Sequence, residues 1–303
     1  MPDLVLRTPE DRFAALPDFP WTPRYLEVQG LRLARVDEGP AAAPPVLLLH
    51  GEPSWSFLYR KMIPPLLAAG LRVIAPDLAG FGRSDKPADR RAYTFQAHVD
   101  WISGLIGALD LRGITLFCQD WGGLIGLRLA AEQGERFARV CAANTFLPTG
   151  DERVPPAFHL WRAFARWTPV FPAGRIVASG VVRGIDPQVR AAYDAPFPSE
   201  AHKAGARAFP RLVPTRPDDP ASAKNRAAWE ALGRFDKPFL TLFGKNDPIT
   251  RGAERVLQRR IPGAAGQQHQ VLRGAGHFLQ EDVGPELAEA LVRWIGPPPS
   301  SSP

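Results

Sequence analysis

The apolar residues of this chain fall into short continuous runs that are separated by longer segments with helical spacing. Continuous apolar runs are typical of strands buried on both faces of a parallel sheet, with helices as crossovers. Six runs are predicted to be strands, at residues 46–49, 72–75, 114–118, 139–143, 238–243 and 269–272. Five intervening segments are predicted to be helices, at residues 57–69, 95–109, 122–133, 251–260 and 285–295. The pattern predicts an α/β fold with a mostly parallel central sheet flanked by helices.

This alternation is interrupted between two strands. Residues 147–232 are rich in proline, arginine and aromatic residues and contain no convincing strand, and the sheet pattern resumes at Lys237. An insertion between two strands of one sheet predicts a cap rather than a second domain. Residues 25–36 predict an antiparallel edge hairpin that turns near Gln29 and Gly30. The predicted organisation is a core of residues 1–146 and 233–296, a helical cap of residues 147–232 and a disordered tail of residues 297–303.

Composition narrows the classes of protein to consider. The chain has 303 residues, of which 45% are apolar and 22% charged, as in soluble globular proteins. No segment approaches the roughly 20 apolar residues of a membrane helix, and residues 1–23 lack the apolar core of a secretory signal. Two cysteines cannot form a disulfide framework or a four-cysteine zinc site. We therefore expect a cytoplasmic, reduced protein that binds no membrane.

The net charge of +6, with an isoelectric point of about 9.7, raises the question of nucleic-acid binding. The 37 basic residues, however, are opposed by 31 acidic residues, and the arginines are scattered along the chain. A nucleic-acid partner is therefore not expected.

The third predicted strand ends at a turn that can carry a nucleophile. Residues 118–123 (CQDWGG) lead from this strand into a helix, with small residues on both sides of Asp120. In a nucleophile elbow the central residue is strained and exposed, and small neighbours let strand and helix approach. The alternative is an ordinary helix N-cap, for which aspartate is also favoured. As an elbow, the turn places Asp120 where an esterase has serine.

Two further residues stand at the ends of later strands. Asp247 follows the fifth predicted strand, and His277 follows the sixth in the loop 274–278. Each alone has an ordinary explanation, as a turn aspartate before proline or as an incidental histidine. Together Asp120, Asp247 and His277 have the chain order nucleophile, acid, base of a catalytic triad. We predict that these three residues form the catalytic centre.

The loop after the first predicted strand, residues 50–55 (HGEPSW), is expected to supply an oxyanion hole. A loop at this place can direct a backbone N–H beside the elbow. We assign this role to the main-chain N–H groups of Glu52 and Trp121. The side chain of His50 is interpreted as a brace of the loop.

These segments resemble those of the α/β-hydrolases, and more closely those of the haloalkane dehalogenases. The resemblance runs from about residue 8 to residue 295. The chain resembles in particular the subfamily of dehalogenases in which the catalytic acid comes after the strand that follows the cap. In the other subfamilies the acid follows the strand before the cap, where this chain has the uncharged Asn144. Asp247 is therefore the better candidate. The segments that carry the resemblance are residues 50–55 (HGEPSW), 77–87 (DLAGFGRSDKP), 119–123 (QDWGG) and 274–278 (GAGHF).

An aspartate nucleophile selects the reaction. Displacement of a halide from a saturated carbon by serine would leave an ether, whereas a carboxylate forms an ester that histidine-activated water can cleave. The resemblance thus implies that a small halogenated aliphatic substrate becomes an alcohol, a halide ion and a proton through an ester on Asp120. It implies no metal and no organic cofactor, and we expect a monomer.

The departing halide ion needs N–H donors in an apolar pocket. The indole of Trp121 is a donor without an acceptor, and a second donor is expected from the cap because one donor leaves a buried anion poorly solvated. In the family the cap tryptophan follows a phenylalanine by three residues, which Phe158 and Trp161 match. Trp161 is therefore assigned, and Trp167 remains the other possibility. Candidates for the apolar wall are Phe164, Phe171, Phe197 and Phe209.

Other functions remain open on the same triad. An epoxide hydrolase needs acidic hydroxyls from the cap, and Tyr193 is the only tyrosine between residues 147 and 232. A fluoroacetate dehalogenase needs an arginine near the elbow, and the first one after Asp120 is Arg128. A non-catalytic binding protein on a hydrolase scaffold is the third alternative, and the complete set of three triad residues argues against it.

Overall fold

The computed structural model describes residues 4–154 and 156–296. The strands, in chain order, are β1 (Val5–Leu6), β2 (Arg24–Val28), β3 (Leu31–Glu38), β4 (Pro45–Leu49), β5 (Arg72–Pro76), β6 (Lys86–Pro87), β7 (Ile114–Gln119), β8 (Phe137–Ala143), β9 (Phe239–Gly244) and β10 (Gln270–Leu272). The helices are α1 (Ile63–Ala68), α2 (Phe95–Ala108), α3 (Trp121–Glu132), α4 (Pro156–Trp167), α5 (Ala173–Ser179), α6 (Pro187–Asp194), α7 (Ala204–Leu212), α8 (Ser222–Leu232), α9 (Ala253–Arg260) and α10 (Leu279–Ile295).

The central sheet has eight strands in the order β10-β9-β8-β7-β4-β5-β3-β2. Neighbouring strands from β10 to β5 are parallel, and β3 and β2 are antiparallel at one edge. The six predicted strands are all present, and β2 and β3 form the predicted hairpin. The expectation that all six are buried is wrong for β10 at the edge of the sheet, where Val271 has 53% of its surface exposed. Gln29 and Gly30 both have positive φ, as a tight two-residue hairpin turn requires. The predicted fold class is confirmed. A separate pairing of β1 with β6 was not foreseen.

Two predicted helices have different bounds because of their prolines. The segment 57–69 contains a short 3₁₀ turn, and α1 begins only at Ile63, with Pro64 and Pro65 in its first turn, where a missing N–H is tolerated. The last helix begins at Leu279 instead of Pro285. The backbone of Val283 is non-helical, so Pro285 opens the second part of a kinked helix.

The segment between β8 and β9 contains five helices, α4 to α8, and no strand among its described residues. It corresponds to the predicted cap, although the bounds 147 and 232 remain predictions. The predicted disordered tail of residues 297–303 lies outside the described residues. In the described chain, none of the helices combines the length and the apolar character needed to cross a membrane.

The strand order reverses at β4: the next parallel strand in the chain, β5, lies on one side of β4, and β7 lies on the other side. Leu49 at the end of β4 pairs with Cys118 near the end of β7. Loops that leave two such strands diverge and open a crevice at the carboxyl edge of the sheet. The loop that begins at His50 and the turn at Asp120 therefore start side by side.

Candidate active site

Asp120 occupies the sharp turn between β7 and α3. Its φ of 50° and ψ of −126° are the strained backbone angles expected of an elbow residue. Its side chain makes no capping hydrogen bond to α3. Instead, Oδ1 of Asp120 accepts the main-chain N–H of Glu52 at 2.7 Å. The geometry is therefore that of an elbow and not that of a capped helix end.

Two glycines provide the space that this turn requires. A Cβ atom on Gly122 would lie 1.9 Å from the carbonyl oxygen of Leu49, and one on Gly51 would lie 2.2 Å from Oδ1 of Asp120. Both distances are far inside van der Waals contact, so neither position has room for a side chain. Gly122 lets α3 start against β4, and Gly51 lets the N–H of Glu52 reach the carboxylate.

His277 lies between two carboxylates. Its Nε2 is 3.5 Å from Oδ2 of Asp120, and its Nδ1 is 3.1 Å from Oδ2 of Asp247. Asp247 is buried and also accepts the N–H of Ile249 at 2.8 Å and the hydroxyl of Thr250. The structure thus brings together the three residues that the sequence analysis selected from different strands.

Burial and hydrogen bonding shift the pKa values of His277 and Asp247 in opposite directions. Burial alone would lower the pKa of His277, but the hydrogen bonds and charges of Asp120 and Asp247 outweigh it and raise the pKa to about 10. Burial alone would raise the pKa of Asp247, but hydrogen bonds from His277, Thr250 and Ile249 bring it below its usual value. The imidazole is therefore a cation between two carboxylates.

Core side chains hold the loop of His277 by its carbonyl groups. Nδ2 of Asn144 donates to the carbonyls of Gly276 at 2.7 Å and His277 at 2.9 Å. Oδ1 of Asn144 accepts the N–H of Gly244 at 2.7 Å, and Nε2 of Gln119 donates to the His277 carbonyl at 3.0 Å. The sequence analysis assigned no function to Asn144 or Gln119. Their signal in the sequence is their place at the carboxyl ends of β8 and β7.

The loop that carries Glu52 is braced as expected. Nε2 of His50 accepts the N–H of Leu78 at 2.9 Å, and Nδ1 lies 2.9 Å from the carbonyl oxygen of Gly51. Burial lowers the pKa of His50, so this imidazole is neutral. Burial and the nearby charge of Asp120 raise the pKa of the Glu52 carboxyl well above its usual value. The main chain of Glu52 supplies the polar contact to Asp120 described above.

Trp121 is packed between aromatic rings at the start of α3. Phe209 of α7 is stacked on the indole, with ring centroids 4.4 Å apart and an interplanar angle of 11°, and Phe95 lies at 5.4 Å. Only 3% of the Trp121 surface is exposed. Phe209, one of the candidates for the apolar wall, therefore holds the plane of this indole.

The indole N–H of Trp121 donates to no other residue in the described chain. Other buried indoles differ, because Trp55 donates to the carbonyl of Ala192 at 3.1 Å and Trp229 donates to that of Leu147 at 2.7 Å. An anion beside Trp121 would satisfy this donor.

The two candidate cap tryptophans lie in different surroundings on α4. Trp161 is half-buried, with its ring centroid 5.6 Å from that of Phe164 and 6.0 Å from that of Phe171. Trp167 has 72% of its surface exposed. The choice of Trp161 as the second halide donor remains a prediction, and the exposure of Trp167 favours it.

Tyr193, the only tyrosine of the predicted cap, is engaged away from the triad. Its hydroxyl donates to Oε1 of Glu281, and the same carboxylate pairs with Arg60 at 2.8 Å through Oε2. Burial, followed by the charge of Glu281, raises the pKa of Tyr193 well above its usual value. This hydroxyl is therefore unsuited to protonate an epoxide oxygen.

Among residues 4–154 and 156–296, no cluster of histidine, cysteine and acidic side chains has the arrangement of a metal site.

Comparison with known proteins places this geometry in a family. The sequence profile of the alpha/beta hydrolase fold matches residues 44–282. A haloalkane dehalogenase of Mycobacterium marinum is 58% identical over 295 residues, which are 96% of this chain and 99% of that protein. The tetrameric structure of a haloalkane dehalogenase from Paraglaciecola agarilytica NO2 has a TM-score of 0.89 at 38% identity and covers 94% of this chain and 97% of its own. A cis-3-alkyl-4-alkyloxetan-2-one decarboxylase of Xanthomonas campestris is 34% identical, over 92% of this chain and 97% of that protein.

The sheet order, the elbow and the matched profile together define an α/β hydrolase. Identity of 58% over nearly the whole chain is far above the 34% shared with the decarboxylase. Within the α/β hydrolases, this chain belongs to the haloalkane dehalogenases, and the resemblance inferred from its motifs is confirmed.

Proposed function

We propose that this enzyme hydrolyses small halogenated alkanes to an alcohol, a halide ion and a proton, with Asp120 as the nucleophile. The observation that carries the proposal is the placement of His277 between the elbow carboxylate of Asp120 and the buried carboxylate of Asp247, at 3.5 and 3.1 Å. A carboxylate at the elbow forms an ester with a saturated carbon, and the adjacent imidazole can activate water to cleave that ester.

The first step is a displacement at carbon. The N–H of Glu52 holds Oδ1 of Asp120 at 2.7 Å, which leaves Oδ2 for the attack. As the Oδ2–carbon bond forms, the carbon–halogen bond breaks, and the halide departs with the bonding electrons. The indole N–H groups of Trp121 and Trp161 donate to the halide ion.

The second step is hydrolysis of the ester. Esterification removes the negative charge of Asp120, one of the two charges that raise the pKa of His277. The imidazole then gives up the proton on Nε2 to solvent and becomes a base, while Asp247 holds its Nδ1–H. It accepts a proton from water as the water oxygen attacks the carbonyl carbon of the ester.

The oxyanion hole completes this step. The attack moves negative charge onto Oδ1, where the main-chain N–H groups of Glu52 and Trp121 stabilise it. Collapse of the intermediate breaks the bond to the alkyl oxygen, which takes the proton from His277 and leaves as the alcohol. The carboxylic acid left on Asp120 returns its proton to His277, so that Asp120 is again a carboxylate and His277 is again a cation.

The test is halide release together with capture of the ester. We expect the wild-type enzyme to release bromide from 1-bromobutane and 1,2-dibromoethane over many turnovers. The His277→Phe variant should release one bromide per active site and carry an alkyl adduct on Asp120 by peptide mass spectrometry, and Asp120→Asn should release none.

Control substrates separate this activity from its alternatives. Styrene oxide tests the epoxide hydrolase, and a cis-3,4-dialkyloxetan-2-one tests the activity named for the Xanthomonas campestris relative. Turnover of either one without release of halide from any bromoalkane, or an adduct on a residue other than Asp120, would contradict the proposal.

Two further expectations from the sequence stay predictions. The expectation that this chain is a monomer is not supported by the solved relative from Paraglaciecola agarilytica, which is a tetramer. The cytoplasmic location is likewise untested.

A further inference from the structure

The loop of the catalytic base is held from two sides. We call residues 274–278 the base loop and residues 180–183, which follow α5, the cap loop. Core side chains hold the base loop through the carbonyl groups of Gly276 and His277. Its N–H groups point the other way: the N–H of Phe278 donates to the carbonyl of Gly180 at 3.2 Å. The position of His277 therefore depends on the cap loop as well as on the core.

A single buried carboxylate joins the two loops. Asp282, in the first turn of α10, is 4% exposed. Its Oδ2 accepts the N–H of Gly276 at 2.8 Å, directly before His277 in the chain. Its Oδ1 accepts the N–H groups of Val182 at 3.0 Å and Arg183 at 2.7 Å. The N–H of Val182 also lies 3.1 Å from Oδ2. Displacement of the cap loop would remove both hydrogen bonds to Oδ1, and displacement of the base loop would remove the shorter of the two hydrogen bonds to Oδ2, in a buried place where water does not replace them freely.

The two loops are also in direct backbone contact. A Cβ atom on Gly276 would lie 2.4 Å from the carbonyl oxygen of Gly180, and one on Gly180 would lie 2.7 Å from the ring of Phe278. The loops thus leave no space for an intervening side chain. A shift of the cap loop would act on the base loop directly.

We propose that Asp282 is a positioning residue for His277, because it ties the base loop to the cap loop and so makes the alignment of the base depend on a seated cap. This inference rests on the proposed roles of Asp120 and His277. The sequence analysis passed over Asp282, and no residue of the triad contacts its carboxylate.

The proposal assigns Asp282 to one of the two chemical steps. His277 acts as a base only in ester hydrolysis, whereas displacement of the halide requires Asp120 and the halide donors. Loss of the tie should therefore slow hydrolysis and leave displacement almost unchanged. Misplacement of a catalytic group by about 1 Å costs about 10²-fold in rate.

The experiment compares the two steps in rapid-quench measurements with 1-bromobutane. Asp282→Ala should release the first equivalent of bromide at the wild-type rate, and its later turnover should be slower by about 10- to 10²-fold. The alkyl ester on Asp120 should accumulate, as detected by mass spectrometry. Asp282→Asn, which keeps the size and one acceptor oxygen, should lie between Asp282→Ala and the wild type and covers the case in which the alanine variant does not fold.

Glu286→Gln is the matched control. Glu286 lies on the same helix and faces the same cap loop, 3.9 Å from the guanidinium of Arg183, but its side chain is 53% exposed. This variant should keep both steps at wild-type rates. The inference would be overturned if Asp282→Asn slowed the release of the first equivalent of bromide and the later turnover equally, or if it slowed neither. A His277→Phe variant that traps no ester would instead overturn the proposed function.

Discussion

At the scale of single residues, the chemistry of His277 depends on how many charged carboxylates face it. Asp120 and Asp247 approach the imidazole from opposite sides and raise its pKa to about 10, although burial alone would lower it. A permanently charged imidazole could not act as a base. In the proposed mechanism, esterification of Asp120 removes one of these charges at the stage when a base is needed.

This dependence gives a pH prediction. Because the pKa of His277 is raised in the folded state, its contribution to stability is complete below pH 6.5 and is lost as the pH rises toward 10. Asp120→Asn imitates the neutral ester, so the pKa of His277 should be lower in that variant and the loss should occur at lower pH. NMR titration of the His277 ring in both proteins measures the shift. An unchanged pKa in Asp120→Asn would contradict the assignment of Asp120 as a charge that controls the base.

At the scale of elements, helix phase separates residues that are close in sequence. Trp161 and Trp167 are six positions apart on α4, which turns their side chains about 120° away from each other at 100° per residue. Trp161 is half-buried against Phe164 and Phe171, and Trp167 is largely exposed. One helix can therefore place only one of these indoles toward the interior.

The halide assignment can be tested on the same helix. Trp161→Phe keeps the aromatic packing but removes the N–H donor, and loss of a hydrogen bond to a charged partner costs about 1.5–3 kcal/mol. Bromide should therefore bind about 10- to 100-fold more weakly to this variant. Trp167→Phe should bind bromide as the wild type does. Fluorescence titration with bromide provides the measurement, and weaker binding in Trp167→Phe alone would reverse the assignment.

At the scale of the whole molecule, a buried charge cluster joins the predicted cap to the core. Glu281 of α10 pairs with Arg60, and both side chains are at most 2% exposed; Tyr193 of α6 donates to the same carboxylate. Burial alone would raise the pKa of Glu281, but the hydrogen bonds of Arg60 and Tyr193 lower it. A buried charge of this kind depends on its partners, because either one alone would be desolvated without compensation.

We expect Glu281→Gln to reduce stability strongly. The change leaves the Arg60 guanidinium buried without its carboxylate, at a cost of about 3–5 kcal/mol in the free energy of unfolding. Since the folded pKa of Glu281 is lowered, its stabilisation is present above its unfolded pKa and is lost as the pH falls through the folded value. The difference between wild type and variant should thus shrink in acid.

Urea unfolding at several pH values measures this difference. Glu289→Gln on the same helix is the control, because the pair of Glu289 with Arg293 is exposed and is worth about 0.5 kcal/mol or less. Equal effects of the two substitutions at neutral pH would show that the buried cluster carries no special stability.

What the sequence determined by itself is local. Apolar runs and their spacing identified the buried strands, and the turn 118–123 identified the elbow, because strand burial and a strand-to-helix turn depend on neighbours along the chain. The chain order of Asp120, Asp247 and His277 predicted the triad for the same reason, since each of these residues follows a recognisable strand. The predicted bounds of two helices that contain prolines were wrong, because a proline can begin a helix or lie at a kink within one.

What only the tertiary structure decided is contact between distant residues. Four contacts join segments that are far apart in the chain. His277 approaches Asp120, and Asn144 holds the base loop. Tyr193 donates to Glu281, and Asp282 links the base loop to the cap loop. Sheet order and the seating of the cap place these segments together, and neither leaves a periodic signal in the sequence. Hydrophobic spacing reports which face of an element is buried, but it does not report which distant side chain that face will meet.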